Sequence, residues 1–317
     1  MTYPDPALVA PAVVASGARV VEPRQFATGF SWPECPRWHD DTLWFSDMYT
    51  ATLKTLDSSG NVKIAVDATG RRTPDGVPIV LGGFGWLPDG RLIVVSMHER
   101  LVLVHGGRDE DDLQVYADLA PFCPSAANDM VVDADGRAYV TQLGFDIFTE
   151  NPQVASSPLI VVEPDGSPHT AGAVGPLQCA NGIGISSDGS QVYAAEVLRS
   201  RIVMMDRASD GSLSAPEEFA GCPFLPDGIA LDEEGGVWAA LPGGGHVVRV
   251  TGDGITDAVP IPLSVGSTAA CVLGGPERST LYVMVGVEVY DFEKSAREKL
   301  GSIWTAEVPY RGGATRP

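Results

Sequence analysis

Apolar residues in this chain come in short runs that alternate with polar ones and break at acidic or glycine turns, and the same unit recurs. It reads CPRWHDDTLWFSDM, FGWLPDGRLIVVSM, MVVDADGRAYVTQL, IGISSDGSQVYAAEV, IALDEEGGVWAAL and CVLGGPERSTLYVMV. Asp-Gly between two alternating runs marks a β-hairpin, because both central residues tolerate positive φ and match the twist of the flanking strands. The units follow one another at roughly 43 to 53 residues, the period of propeller blades. Further β-rich runs (LVLVHG, PLIVVEPDG, RIVMMDRA, HVVRVTG) follow most hairpins, which makes blades of about four strands. No unit shows a convincing amphipathic helix. The pattern therefore predicts an all-β chain, a six-bladed β-propeller over residues 17–310. Propellers avoid exposed sheet edges by closing the ring, often with strands from both termini, and residues 302–309 and 18–24 form the expected pair. Residues 1–16 read as an N-terminal arm, 311–317 as a C-terminal tail and 146–157 as a loop.

Composition narrows the partners. Acidic residues outnumber basic ones 41 to 21, a net charge of -20 that repels phosphate backbones and anionic lipid surfaces. Neither nucleic acid nor membrane is an expected partner. No run approaches the ~20 apolar residues of a membrane span, and the first residues lack a basic stretch ahead of their apolar run. The five cysteines, Cys35, Cys123, Cys179, Cys222 and Cys271, are an odd number without a CxxC pair, so reduced thiols and a cytoplasmic location are expected.

Register then places a site. Asn128, Asn181 and Asp227 each lie about eight residues before the hairpin glycine of their unit, at one height on the innermost strand. Glu34 takes the same register in the first unit, while the second and sixth offer Gly82 and Ala270. Two carboxylates and two amides converging on one mouth of the tunnel form an all-oxygen donor set suited to a hard divalent cation, with positions left open for water and substrate. A central Ca²⁺ site is expected, with Mg²⁺, Mn²⁺ and Zn²⁺ as alternatives. The second strand of each hairpin returns to the same mouth. Its end residues, Met48, Tyr49, Met97, His98, Phe145 and Glu196, are candidates for touching substrate, and Asp47, Gln142 and Pro242 stand beside them.

The segments WPECPRWHDDTLWFSDM, NDMVVDADGRAYVT, ANGIGISSDGSQVYAAE and PDGIALDEEGGVW resemble the metal-bearing segments of the senescence-marker-protein, gluconolactonase and luciferin-regenerating-enzyme family. The resemblance spans nearly all of residues 30–305 and extends to the similar diisopropylfluorophosphatases. It implies a catalytic divalent cation, usually calcium, among Glu34, Asn128, Asn181 and Asp227, with Asp227 also the general base of a lactone or ester hydrolase. Sugar-lactone members of the family carry Arg two residues before the matching Asn, where this chain has Ala126. With a mostly apolar rim, that points to a more hydrophobic lactone or ester. A phosphotriester or fluorophosphate hydrolase on the same site, and a non-catalytic binding propeller, are the competing functions; a lyase similar to strictosidine synthase lacks this quartet.

Overall fold

The structure, a computed structural model, describes residues 4–106, 113–147, 149 and 151–313. Residues 1–3 of the expected arm, 314–317 of the expected tail, and 148 and 150 of the expected loop lie outside them. The chain is a six-bladed β-propeller. The first blade runs Pro33–His39, Thr42–Asp47, Thr52–Leu56 and Val62–Asp67, and each later blade repeats this antiparallel order. The turn chemistry is as the pattern demands. In the third blade, Gly136 closes the hairpin at φ 89° with its N–H donating to Asp133 O (3.1 Å), a conformation that costs glycine little.

The apolar faces of neighbouring blades meet in pairs, so the core is divided among the gaps of the ring. Leu53, Phe84 and Val94 fill the gap between the first and second blades. Tyr139, Ile185 and Met205 fill that between the third and fourth, and Trp238, Leu281 and Val283 that between the fifth and sixth. Such burial stabilises by roughly 25 cal/mol per Å² of apolar surface. Among the described residues no helix is long and apolar enough to cross a membrane.

The ring closes one strand later than the sequence pattern suggested. Gly301–Glu307 pairs with Arg24–Phe30, which becomes the outer strand of the sixth blade. Residues Arg19–Val20 run instead parallel to the outer strand of the fifth. Arg19 holds them there, its Nε 2.8 Å from the fully buried Asp257 carboxylate. Phe30 then packs edge-on to Phe45 of the first blade (5.0 Å).

Two α-helices break the all-strand expectation. Helix α1 (Val9–Ser16) buries Val9 and Val13 in the gap between the fourth and fifth blades. Helix α2 (Phe292–Glu298) lies between the last two strands formed by the sixth unit, capped by Asp291, whose carboxylate accepts from Lys294 N (2.8 Å). Its Phe292 and Ala296 turn inward. Seven residues are too few for a helical period to stand out from a loop.

Closure through Phe30 gives the first prediction. Phe30→Ala is expected to cost about 3–5 kcal/mol in denaturant unfolding, whereas Val62→Ala on an exposed outer strand should stay within about 0.5 kcal/mol. Equal effects would show that the sixth-to-first gap does not hold the ring shut.

Candidate metal centre and its apolar roof

The strands that line the tunnel are irregular where the candidate ligands sit. Pairing of the inner hairpin slips between Glu34 and Arg37 in the first blade, Ala127 and Met130 in the third, and Ala180 and Ile183 in the fourth. A bulge leaves residues without a cross-strand partner and re-aims their side chains, and Glu34, Asn128 and Asn181 stand at these slips. Beside two of them, Cys35 and Cys179 take left-handed backbone (φ 46° and 57°), a local strain common where a site is built. Asp227 comes just before the inner strand of the fifth blade. Its N–H donates to Ala240 O (2.9 Å) and its carbonyl accepts from Gly182 N (3.1 Å). The Thr141 hydroxyl donates to Asn181 O (2.7 Å) and accepts from Asp129 N (3.0 Å), joining the third blade to the fourth.

Small residues fill the two remaining places in the ring. A Cβ on Gly82 would fall 2.3 Å from Asn128 O, and one on Gly228 would fall 2.3 Å from the Ala270 Cβ. The tunnel wall closes around the quartet only because these positions carry almost nothing.

The electrostatics of the quartet are unbalanced. Glu34 accepts from Cys35 N (2.9 Å) and from the Trp32 indole, yet burial, helped by the charge of Asp129, pushes its carboxyl up to about 7. Burial also drives Asp227 well above the usual carboxylate range, with Glu34 and then Asp129 adding to the effect and a hydrogen bond from Asn181 opposing it. Asp227 Oδ1 and Asn128 Nδ2 are buried and have no hydrogen-bond partner. Buried polar atoms are normally paired, and an amide turned about its last bond presents oxygen in place of nitrogen. Two repelling carboxylates, an unpaired carboxylate oxygen and two amides are the surroundings that a hard cation would relieve. The residues present therefore fit a divalent ion such as Ca²⁺. Among the described residues no group of three or more His, Cys, Asp or Glu is placed to hold a metal, so the donor set owes its character to the amides.

The description SMP-30/Gluconolactonase/LRE-like region matches residues 32–286. The chain belongs to this family. Over 145 residues it is 36% identical to the L-arabinolactonase of Azospirillum brasilense, a match spanning 44% of each chain. It is 26% identical over 256 residues to Pentonolactonase XacC of Haloferax volcanii, covering 79% of this chain and 80% of that one. Among solved structures it is similar in fold to a calcium-binding protein, regucalcin, of Agrobacterium tumefaciens, with a TM-score of 0.71, 18% identity, and coverage of 95% and 98% of the two chains.

Within this SMP-30/gluconolactonase-like frame, the sequence reading missed a buried ion pair beneath the quartet. Arg37 Nη2 lies 2.6 Å from Asp129 Oδ1, and the guanidinium also donates to Met130 O (2.6 Å) and Phe84 O (3.2 Å). It thus ties the first blade to the second and third. Arg37 also lines a cavity of about 310 Å³ with Trp38, Ile183, Leu231 and Gly312. With Asp129 neutralised by Arg37, the ionised quartet is left with two negative charges. Arg37 stands three residues after Glu34, but its partner is 92 residues away, beyond what a local pattern reveals.

The residues expected on the rim are placed unevenly. Met48, Tyr49, Met97 and Phe145 are buried in one apolar cluster with Trp32 and Ala126, under a roof that includes Phe292. His98 lies beside Phe292 in a cavity of about 680 Å³, and burial lowers its pKa. Glu196 is fully engaged by Arg201 Nε (2.7 Å), Arg199 Nε (3.2 Å) and Gln178 N (2.9 Å). Asp47 is equally committed, accepting from Ser31 N (2.7 Å), Trp32 N (3.2 Å) and Lys54, and so fixes the segment that leads into Glu34. The five cysteines are all free thiols.

Carboxylates held above their ordinary pKa make stability fall as pH rises. For Glu34 the folded state binds its proton more tightly than the unfolded chain, so with a chelator present stability is expected to drop between pH 4.5 and about 7. Added Ca²⁺ should restore it most where both carboxylates are charged. Melting curves across that range with chelator and with Ca²⁺ check this; parallel curves would contradict it.

Proposed function

We propose that the chain is a divalent-cation-dependent hydrolase that opens a lactone or related ester, with Glu34, Asn128, Asn181 and Asp227 holding the ion and Asp227 serving as general base. The observation that carries the proposal is the unpaired, buried Asp227 Oδ1 within an oxygen-only quartet, in a chain of the gluconolactonase-like family. A hard cation held there would supply Lewis acidity, polarising the carbonyl under attack and offsetting charge on its oxygen.

The side chains have the following parts. Asp227, whose proton affinity burial raises, takes a proton from the attacking water as the water oxygen bonds to the carbonyl carbon. The ring C–O bond then breaks, and the departing oxygen takes the proton back from Asp227, leaving a hydroxy acid. Glu34 and the amides orient; neutral Asn128 and Asn181 add donors without further repulsion. Regucalcin's description as calcium-binding supports Ca²⁺ as the ion.

Sugar lactones are named in the relatives, L-arabinolactonase and pentonolactonase. The wall here is apolar. Trp32, Met48, Tyr49, Met97, Ala126 and Phe145 form one apolar surface, and a sugar hydroxyl left unpaired against it would cost about 1–3 kcal/mol. The preferred substrate is therefore a lactone or ester with an alkyl or aryl substituent.

Asp227→Asn keeps an oxygen donor and loses the base, so it should lower turnover by about 10²–10⁴-fold while the protein still folds. Measured beside gluconolactone and a fluorophosphate triester, alkyl- and aryl-substituted γ- and δ-lactones should show the highest kcat/KM. Near-normal turnover by the variant would remove Asp227 from its role, and gluconolactone leading by tenfold or more would overturn the substrate preference.

A further inference from the structure

The apolar wall of the site is covered by a segment of the sixth blade. Met48, Tyr49, Met97 and Phe145 are only 3–8% exposed, and Val289, Phe292 and Ala296, from the stretch between Gly286 and Gly301, pack against their cluster. The Phe292 ring stacks on Tyr49, with centroids 4.3 Å apart and planes 17° from parallel, and lies 6.1 Å from His98 at 27°. Among the described residues, two hydrogen bonds tie this roof to the ring. The Tyr49 hydroxyl donates to Val289 O (3.0 Å) and the Ser295 hydroxyl donates to Ser31 O (3.0 Å). A helix of seven residues has little stability of its own, and beside it Val287 and Tyr290 are 46% and 75% exposed.

The foot of the roof touches the quartet. Trp32, whose indole donates to Glu34, is seated so closely on Gly286 that a Cβ there would fall 2.1 Å from its ring. The covering segment therefore begins on the residue that steadies a candidate ligand.

We infer that α2 is a movable roof and that Phe292 is the specificity-determining residue: the flat surface it shares with Tyr49 is where the ring substituent of the substrate sits, and the size of residue 292 sets how large that substituent can be. Lifting the segment would break the two hydrogen bonds and the ring contacts of Phe292 with Tyr49 and His98 and no covalent tie among the described residues, each contact worth about 0.5–1.5 kcal/mol. The Tyr49 face beneath offers an aryl or alkyl group stacking and apolar contact, whereas a polyhydroxylated ring would find few partners there. The inference rests on the hydrolase proposal for its substrate class and adds the element that selects within it.

The test uses the Ca²⁺-loaded full-length protein and the variants Phe292→Ala, Phe292→Leu and Phe292→Trp, with lactones carrying no substituent, a butyl group or a phenyl group. Phe292→Ala is expected to raise kcat/KM for the phenyl lactone relative to the unsubstituted one by roughly tenfold, and Phe292→Trp to lower that ratio. Calorimetric affinities for the matching lactams, which resist hydrolysis, should shift in the same order. Melting temperature and Ca²⁺ binding of each variant report whether fold and quartet are intact. Ratios that change less than twofold in folded, Ca²⁺-binding variants would overturn the inference. If the wild-type protein hydrolyses none of the lactones, the hydrolase proposal falls, and the lactam affinities decide the roof separately: a dependence on residue 292 supports it, and its absence, or no lactam binding, overturns it.

Discussion

Glu34 and Asp227 come from the first and fifth blades, yet both carboxyls are drawn above their usual range by burial, and the charge of Glu34 adds to the effect on Asp227. Uncompensated burial of two carboxylates is among the costliest arrangements a protein can hold. Much of the tunnel is arranged around that cost. The bulges re-aim the strands that carry Asn128 and Asn181, Gly82 and Ala270 make room for the ring to close, and Arg37 removes the third charge, that of Asp129, from the balance. Removing one partner of such a buried pair typically costs about 3–5 kcal/mol, so the Arg37–Asp129 pair is also part of what holds the blades together.

A closed ring is what allows this. Each blade reaches the tunnel with its innermost strand, and the distance between blades is fixed by apolar gaps such as the one where Phe30 meets Phe45. Stability contributed at the periphery thus supports repulsion at the centre. At the top of the tunnel α2 hangs between two strands, tied by two hydrogen bonds among the described residues and by the ring contacts and packing of Phe292. Low local stability over a site is the usual setting for elements that move to admit a ligand.

The blades, and the register that nominates the candidate quartet, were legible in the sequence for the same reason. Repetition converts position along the chain into height along the tunnel, so Asn128, Asn181 and Asp227 could be aligned from their distance to the hairpin glycine, and the resemblance to known metal-bearing segments fell on the same residues. What repetition does not encode was not legible. The Arg37–Asp129 pair joins two units through side chains whose meeting depends on ring curvature. Closure shifted from residues 18–24 to Arg24–Phe30 because the earlier strand pairs in parallel with Asp257–Ala258 of the fifth blade, where Arg19 also meets Asp257. Glu196 shares the rim register, yet two arginines near it in sequence take up its charge. Helix α2 is too short for its period to outweigh the surrounding strand pattern.

The central claim is that the repulsion between Glu34 and Asp227 is relieved by a hard cation. A crystal structure of the protein grown with Mn²⁺, whose anomalous scattering marks its position, addresses this directly. The account predicts one strong anomalous peak within the quartet, with oxygens of Glu34, Asn128, Asn181 and Asp227 around it. Density showing only water between two protonated carboxylates, or a peak elsewhere in the molecule, would contradict it.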